Sequence, residues 1–104
     1  MGDGFDLLRE AAGKLAEAEE SYRAAGWDES ARRAVELAYS AVAAEVESDD
    51  ILVVLPVLPR HLWVDMLRLN ELRRIAPELE GAPLLEAARE AVEIASALLL
   101  QSLG

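Results

Sequence analysis

A chain of 104 residues, 53% hydrophobic and 29% charged, has room for one hydrophobic core rather than two and lies outside the disordered class. The lack of cysteine excludes disulfides, thiolate metal sites and cysteine nucleophiles, and suits a reducing compartment. A formal charge of −10 works against nucleic acid and anionic membranes as partners, because both are held by Lys and Arg neutralising phosphate.

The longest uncharged apolar runs, Ile51 to Pro59 and Ile94 to Gly104, fall short of the roughly 18 residues that a membrane span requires. The opening Met-Gly-Asp-Gly-Phe-Asp is acidic, whereas a secretory signal begins basic and then turns apolar. A cytoplasmic protein is the expectation. Arginine supplies nine of the ten basic residues, threonine is absent, and Asn and Gln occur once each, a bias that suits a GC-rich or a thermophilic source.

The first helix is expected over about 6–25. Phe5, Leu8, Ala12, Leu15, Tyr22 and Ala25 recur at three, four or seven residues and make one apolar stripe. Asp3 or Gly4 can cap it, and Gly26 can stop it. On its polar face Glu10–Lys14 and Glu19–Arg23 have the favourable i, i+4 order. The second helix is expected over about 28–47, with Asp28 and Glu29 at the positive end of its dipole. Its charges are few, and Ala and Val cover most of its circumference, so it should lie between neighbours and approach them closely. The short link through Gly26 and Trp27 makes the pair an antiparallel hairpin.

Residues 48–59 carry mixed signals. Ile51, Val53 and Val54 favour a strand, Ser48-Asp49-Asp50 can cap a short helix, and Pro56 and Pro59 end either one. A lone strand has no partner within the chain, so the favoured expectation is a short helical turn followed by an extended, buried connection. The third helix is expected over about 60–76, stopped by Pro77. The fourth is expected over about 83–102, opening at Pro83, with no charged residue after Glu93. An uncharged half-helix on a monomer would leave apolar surface exposed, and such surface marks an interface.

Charge is unevenly spread. Residues 51–77 hold Arg60, Arg68, Arg73 and Arg74 against Asp65 and Glu71, a local sum of +2, which leaves −12 for the rest of the chain. Arg60, His61, Asp65 and Arg68 are the candidate ligand-binding residues. His61, Asp65 and Arg68 fall at i, i+4 and i+7 on one helical face, so Asp65 could orient the imidazole while Arg60 and Arg68 hold an anion such as phosphate. The competing account is a stripe of solvated charges with ordinary i, i+4 pairing.

No metal site or cofactor is expected. One His with one Asp is too few ligands for zinc, and the Glu-x-x-His pairs of di-iron bundles are missing. Glu45, Glu47, Asp49 and Asp50 lack the glycine and terminal Glu of a calcium loop. No serine sits in a nucleophile turn and no glycine-rich phosphate loop exists, so no catalytic residue is assigned and the chain reads away from an enzyme. Trp63 and Leu67, on a helix with apolar side chains on several faces, together with Leu98, Leu99 and Leu100, are the candidate interface residues.

The run Leu15-Ala-Glu-Ala-Glu-Glu-Ser-Tyr-Arg-Ala-Ala-Gly followed by Ala31-Arg-Arg-Ala-Val-Glu-Leu-Ala-Tyr-Ser-Ala-Val-Ala-Ala resembles the paired opening helices of the HEPN family of small prokaryotic helical domains. Glu36 stands in the place of a frequent acidic residue. His61-Leu62 followed by Leu67 is similar to the family's entry into its third helix, and Glu86 to Leu100 would be the closing helix. The resemblance implies a homodimer, a small nucleotidyltransferase as a possible protein partner, and, for some members, ribonuclease action in toxin–antitoxin pairs. Catalytic members separate an Arg and a His by several residues. Here Arg60 and His61 are adjacent, which implies a non-catalytic member.

The expectation is therefore an all-α, single-domain protein, an up-and-down antiparallel four-helix bundle completed by homodimerisation. Its expected work is a non-enzymatic interaction module that self-associates and binds a partner protein or a nucleotide. The alternative is a HEPN-type RNA- or nucleotide-handling nuclease or binding subunit.

Overall fold

The computed structural model describes residues 3–102. All regular structure among them is helical: α1 (Asp3–Glu20), α2 (Trp27–Val46), α3 (Trp63–Ile75) and α4 (Gly81–Ala97). Shorter 3-10 segments cover Ile51–Val57, Arg60–Leu62 and Ala76–Glu78, and a π-turn covers Leu98–Ser102. No described helix is long and apolar enough to cross a membrane.

α1 and α2 pair antiparallel through small residues. Ala11, Ala18, Ala31, Ala34, Ala38 and Ala41 are all fully buried, and side chains of one carbon let the two backbones approach closely while keeping dense packing. At Gly4 there is no room for a side chain: an added Cβ would stand 2.9 Å from Glu45 Oε2 and 3.0 Å from the Ala41 carbonyl oxygen. The buried stripe of α1 is Gly4, Leu8, Ala11 and Ala18, with Leu15 and Tyr22 half-buried against it. Phe5 is 37% exposed and Ala12 and Ala25 face solvent, so the expected stripe is rotated by about one residue at those positions. α1 also ends earlier than expected, at Glu20, and hands over to a turn in which Arg23 (φ 73°) and Gly26 (φ 88°) are left-handed.

α2 is the central helix, in contact with α1, α4 and α3, as its apolar circumference predicts. It stops in a Schellman-type cap: Glu47 is left-handed (φ 57°) and the Ser48 N–H donates back to the Ala43 carbonyl at 3.0 Å. The next segment begins as expected, with Asp50 Oδ1 accepting from the Leu52 N–H at 3.0 Å. It is a seven-residue 3-10 helix, long for a form whose runs rarely exceed three or four residues. Two polar anchors hold it. The Tyr39 hydroxyl accepts from the Ile51 N–H at 3.1 Å and donates to the Asp49 carbonyl at 3.0 Å, and Trp63 Nε1 donates to the Leu58 carbonyl at 3.1 Å. Leu58 is extended (φ −101°, ψ 150°), as expected, but Val57 and Pro59 on either side are exposed, so the connection is buried only in part.

α3 runs antiparallel to α4, as the Arg68–Glu90 pair and the groove between Leu72, Ile75, Pro83 and Ala87 require. α1 runs antiparallel to α4, with Gly4 beside Leu99 and Glu19 paired to Arg89. Met66, Leu69, Leu72, Leu84, Leu98, Leu99, Ile51, Val35 and Val42 are the large side chains sealed inside. Burying each contributes roughly 1.5–3 kcal/mol against exposure to water. The Cα radius of gyration of 13.1 Å matches the ~13 Å of a close-packed domain of about 100 residues.

Candidate functional site

Arg60 and His61 stand on the 3-10 turn Arg60–Leu62, placed there by Pro59, whose φ of −57° and ψ of 141° turn the chain into α3. His61 is exposed and Asp65 half-buried in the first turn of α3. The Arg60 guanidinium lies 5.5 Å from the centre of the Trp63 ring, a cation–π contact on an indole already fixed to Leu58. Arg68 points to the other side. Its Nε and Nη2 donate to Glu90 Oε2 and Oε1 at 2.7 and 2.8 Å, the two-pronged geometry that guanidinium and carboxylate favour. The four residues are spread over the 3-10 turn and the first half of α3, and Arg60 and Arg68 diverge, to Trp63 on α3 and Glu90 on α4 respectively.

The hydrogen bonds from Arg68 hold the Glu90 carboxyl below its ordinary pKa, partly opposed by burial, and the same bonds raise Arg68. A depressed carboxyl stabilises the fold above the unfolded value of about 4.3, and that contribution is lost as pH falls through the lower folded value. Both groups are about half exposed, so the effect is modest, under about 1 kcal/mol. Glu90→Gln is therefore expected to melt slightly lower than wild type at neutral pH, with the gap closing in acid below the glutamate range. Parallel melting curves across the acid range check this.

The positive sum of residues 51–77 is largely cancelled in space. Arg73 pairs with Glu36 of α2 at 3.3 Å and lies 4.1 Å over the Tyr39 ring, and Arg74 pairs with Glu71. With Arg68 on Glu90, three of the four arginines are matched to carboxylates, two of which come from outside the segment. A phosphate-binding patch needs those guanidiniums unspent, and sequence distance hid Glu36 and Glu90 from the count.

A groove of about 550 Å³ lies elsewhere, lined by Tyr39, Ser40, Ala43, Ala44, Glu47, Ser48, Asp49 and Arg73. Sequence reading missed it, because Tyr39 reads as an ordinary core aromatic in an alanine helix. Several of its polar groups are engaged within the protomer: the Tyr39 hydroxyl serves Asp49 and Ile51, Arg73 serves Glu36, and Ser48 Oγ donates to the Asp50 carbonyl at 2.9 Å. These contacts build the loop after α2. Arg32 plays a similar part at the opposite end, bonding Asp28 at 3.1 Å and the Leu79 carbonyl at 2.9 Å, although its buried Nε has no partner. Among the described residues no three His, Asp or Glu side chains gather as a metal site.

The candidate interface residues divide sharply. Leu98 and Leu99 are 1% and 0% exposed and fill the protomer's own core, so they present nothing to a partner. The expectation failed because absence of charge marks either an interface or a core, and the π-turn seats Leu99 against α1 at Gly4. Leu100 (65%) and Leu67 (48%) are exposed, and Trp63 is half-buried. Val53 (62%), Val57 (81%) and Val64 (72%) are exposed as well, and sequence reading did not select them. The 3-10 segment carrying Val53 and Val57 packs on α3, which carries Val64 and Leu67.

No family model, characterised protein or solved structure matches this chain. The resemblance to HEPN domains therefore rests on the sequence pattern alone.

Proposed function

We propose that the protein is a non-enzymatic helical interaction module, an up-and-down antiparallel four-helix bundle that pairs with a second copy of itself. One observation carries the reading. Of the six large hydrophobic side chains exposed among the described residues, four (Val53, Val57, Val64 and Leu67) belong to α3 and the 3-10 segment packed on it. Exposed apolar surface gathered in one region, rather than scattered singly, marks an association site. Charge supports the same face: with Glu36 and Glu90 paired onto Arg73 and Arg68, residues 51–77 come to zero and the whole −10 lies on the rest of the chain, so two copies repel least when they meet there. The polar residues of the 3-10 turn and α3 support an anchoring role, since Arg60 braces Trp63 and Arg68 ties α3 to α4.

Light scattering over a range of concentrations and salt tests the reading. A species of twice the 11.3 kDa protomer mass is expected to form at micromolar concentration. Raising salt from about 0.01 to about 0.15 M shortens the screening length from about 30 to about 8 Å, which weakens the repulsion between two acidic copies and should tighten the pair. A protomer mass at every concentration and salt would remove self-association.

A further inference from the structure

The outward side of α3 has an order of its own. Arg60, Val64, Leu67 and Glu71 follow one another at spacings of four, three and four, which puts them on one stripe of the turn and helix. The buried residues of this element, Leu62, Met66, Leu69 and Leu72, lie on the opposite side. All four stripe residues are open to solvent: Arg60 is exposed, Val64 and Leu67 are 72% and 48% exposed, and the Glu71 side chain is 42% exposed. The stripe thus reads cation, apolar, apolar, anion.

Resting on the self-association proposed above, we infer that α3 pairs antiparallel with α3 of a second copy across a two-fold axis passing between Val64 and Leu67. In such a pairing residue i meets residue j wherever j meets i. Val64 then packs on the partner subunit's Leu67, and Arg60 faces the partner subunit's Glu71, each contact occurring twice. The stripe is its own complement only in this orientation. A parallel pairing sets Arg60 on Arg60 and Glu71 on Glu71, and like charges placed across an interface select against that register. Inside the protomer Glu71 accepts from Arg74 and Arg60 rests on Trp63. Both contacts hold the charged ends in place and both remain possible when the partner arrives.

A charge exchange tests the geometry. Arg60→Glu alone sets two acids against each other at both ends of the contact, and Glu71→Arg alone sets two cations, so each variant should self-associate about tenfold more weakly than wild type. An equimolar mixture of the two variants should form a heterodimer of near wild-type affinity, because every cross-contact is then between opposite charges. The double variant R60E/E71R should pair with itself for the same reason. Melting curves of each variant, expected near wild type because both positions are exposed, separate loss of pairing from loss of fold. Wild-type pairing that neither single substitution weakens, or single variants that fail to recover on mixing, overturns the antiparallel register and leaves self-association standing. A wild-type chain that stays monomeric overturns both.

Discussion

Leu99→Glu is expected to unfold the protein rather than to split a dimer. Leu99 is fully buried in the π-turn that ends α4, with its Cδ2 beside Gly4. A carboxylate there is taken out of water with no cation to meet it. Glu45 Oε2 and the Ala41 carbonyl oxygen, which flank the same glycine, would oppose it or offer no proton. Loss of the apolar contacts and burial of a charge together cost about 4 kcal/mol or more, a large share of the 5–15 kcal/mol that holds a domain of this kind together. At 4–8 °C per kcal/mol, the midpoint should fall by about 20 °C or more. Leu100→Glu, one position further on and 65% exposed, is expected to stay within about 0.5 kcal/mol of wild type. Thermal unfolding followed by circular dichroism reads both. A Leu99→Glu protein melting within a few degrees of wild type would contradict the placement of that residue.

Tyr39→Phe is the second large effect. The substitution removes one oxygen from a residue that is 3% exposed and leaves the ring, with Arg73 over it, in place. What is lost is the acceptor for the buried Ile51 N–H and the donor to the Asp49 carbonyl. A buried donor left without a partner costs about 1–3 kcal/mol. The loss should be felt first in the 3-10 segment that the hydroxyl anchors, so amide exchange at Ile51 and the residues after it should accelerate more than exchange in α1. A midpoint lowered by roughly 5–20 °C is expected. An unchanged midpoint and unchanged exchange at Ile51 would show that the segment is held by its apolar contacts alone.

How far the sequence speaks for the structure depends on how many physical signals each stretch carries. α2 is legible because its alanines, the uncharged run from Leu37 to Ala44 and its acidic first turn agree. Asp50 is legible as a cap because few other roles suit an acid before an apolar run. α1 is harder. With Ala11, Ala12, Ala16 and Ala18 crowded together, hydropathy assigns no face, and only the packing of α1 on α2 selects Ala11 and Ala18 over Ala12. Leu98 and Leu99 mislead because an uncharged helix end satisfies two opposite descriptions. The ionic candidates mislead for another reason. Arg68 and Arg73 look unopposed along the chain, but antiparallel packing brings Glu90 and Glu36 to them. Val64 and Leu67, by contrast, lie in plain view at helical spacing, and only the burial of the opposite stripe gives them meaning.

Sedimentation equilibrium of the wild type beside Val64→Glu tests the central claim most directly. Val64 is 72% exposed in the protomer, so the substitution should leave the melting curve nearly unchanged while placing a charge at the middle of the α3 contact. The account predicts a concentration-dependent monomer–dimer equilibrium for the wild type and the mass of a single protomer for the variant. Equal association of the two proteins, or a wild type that remains a protomer throughout, would contradict it.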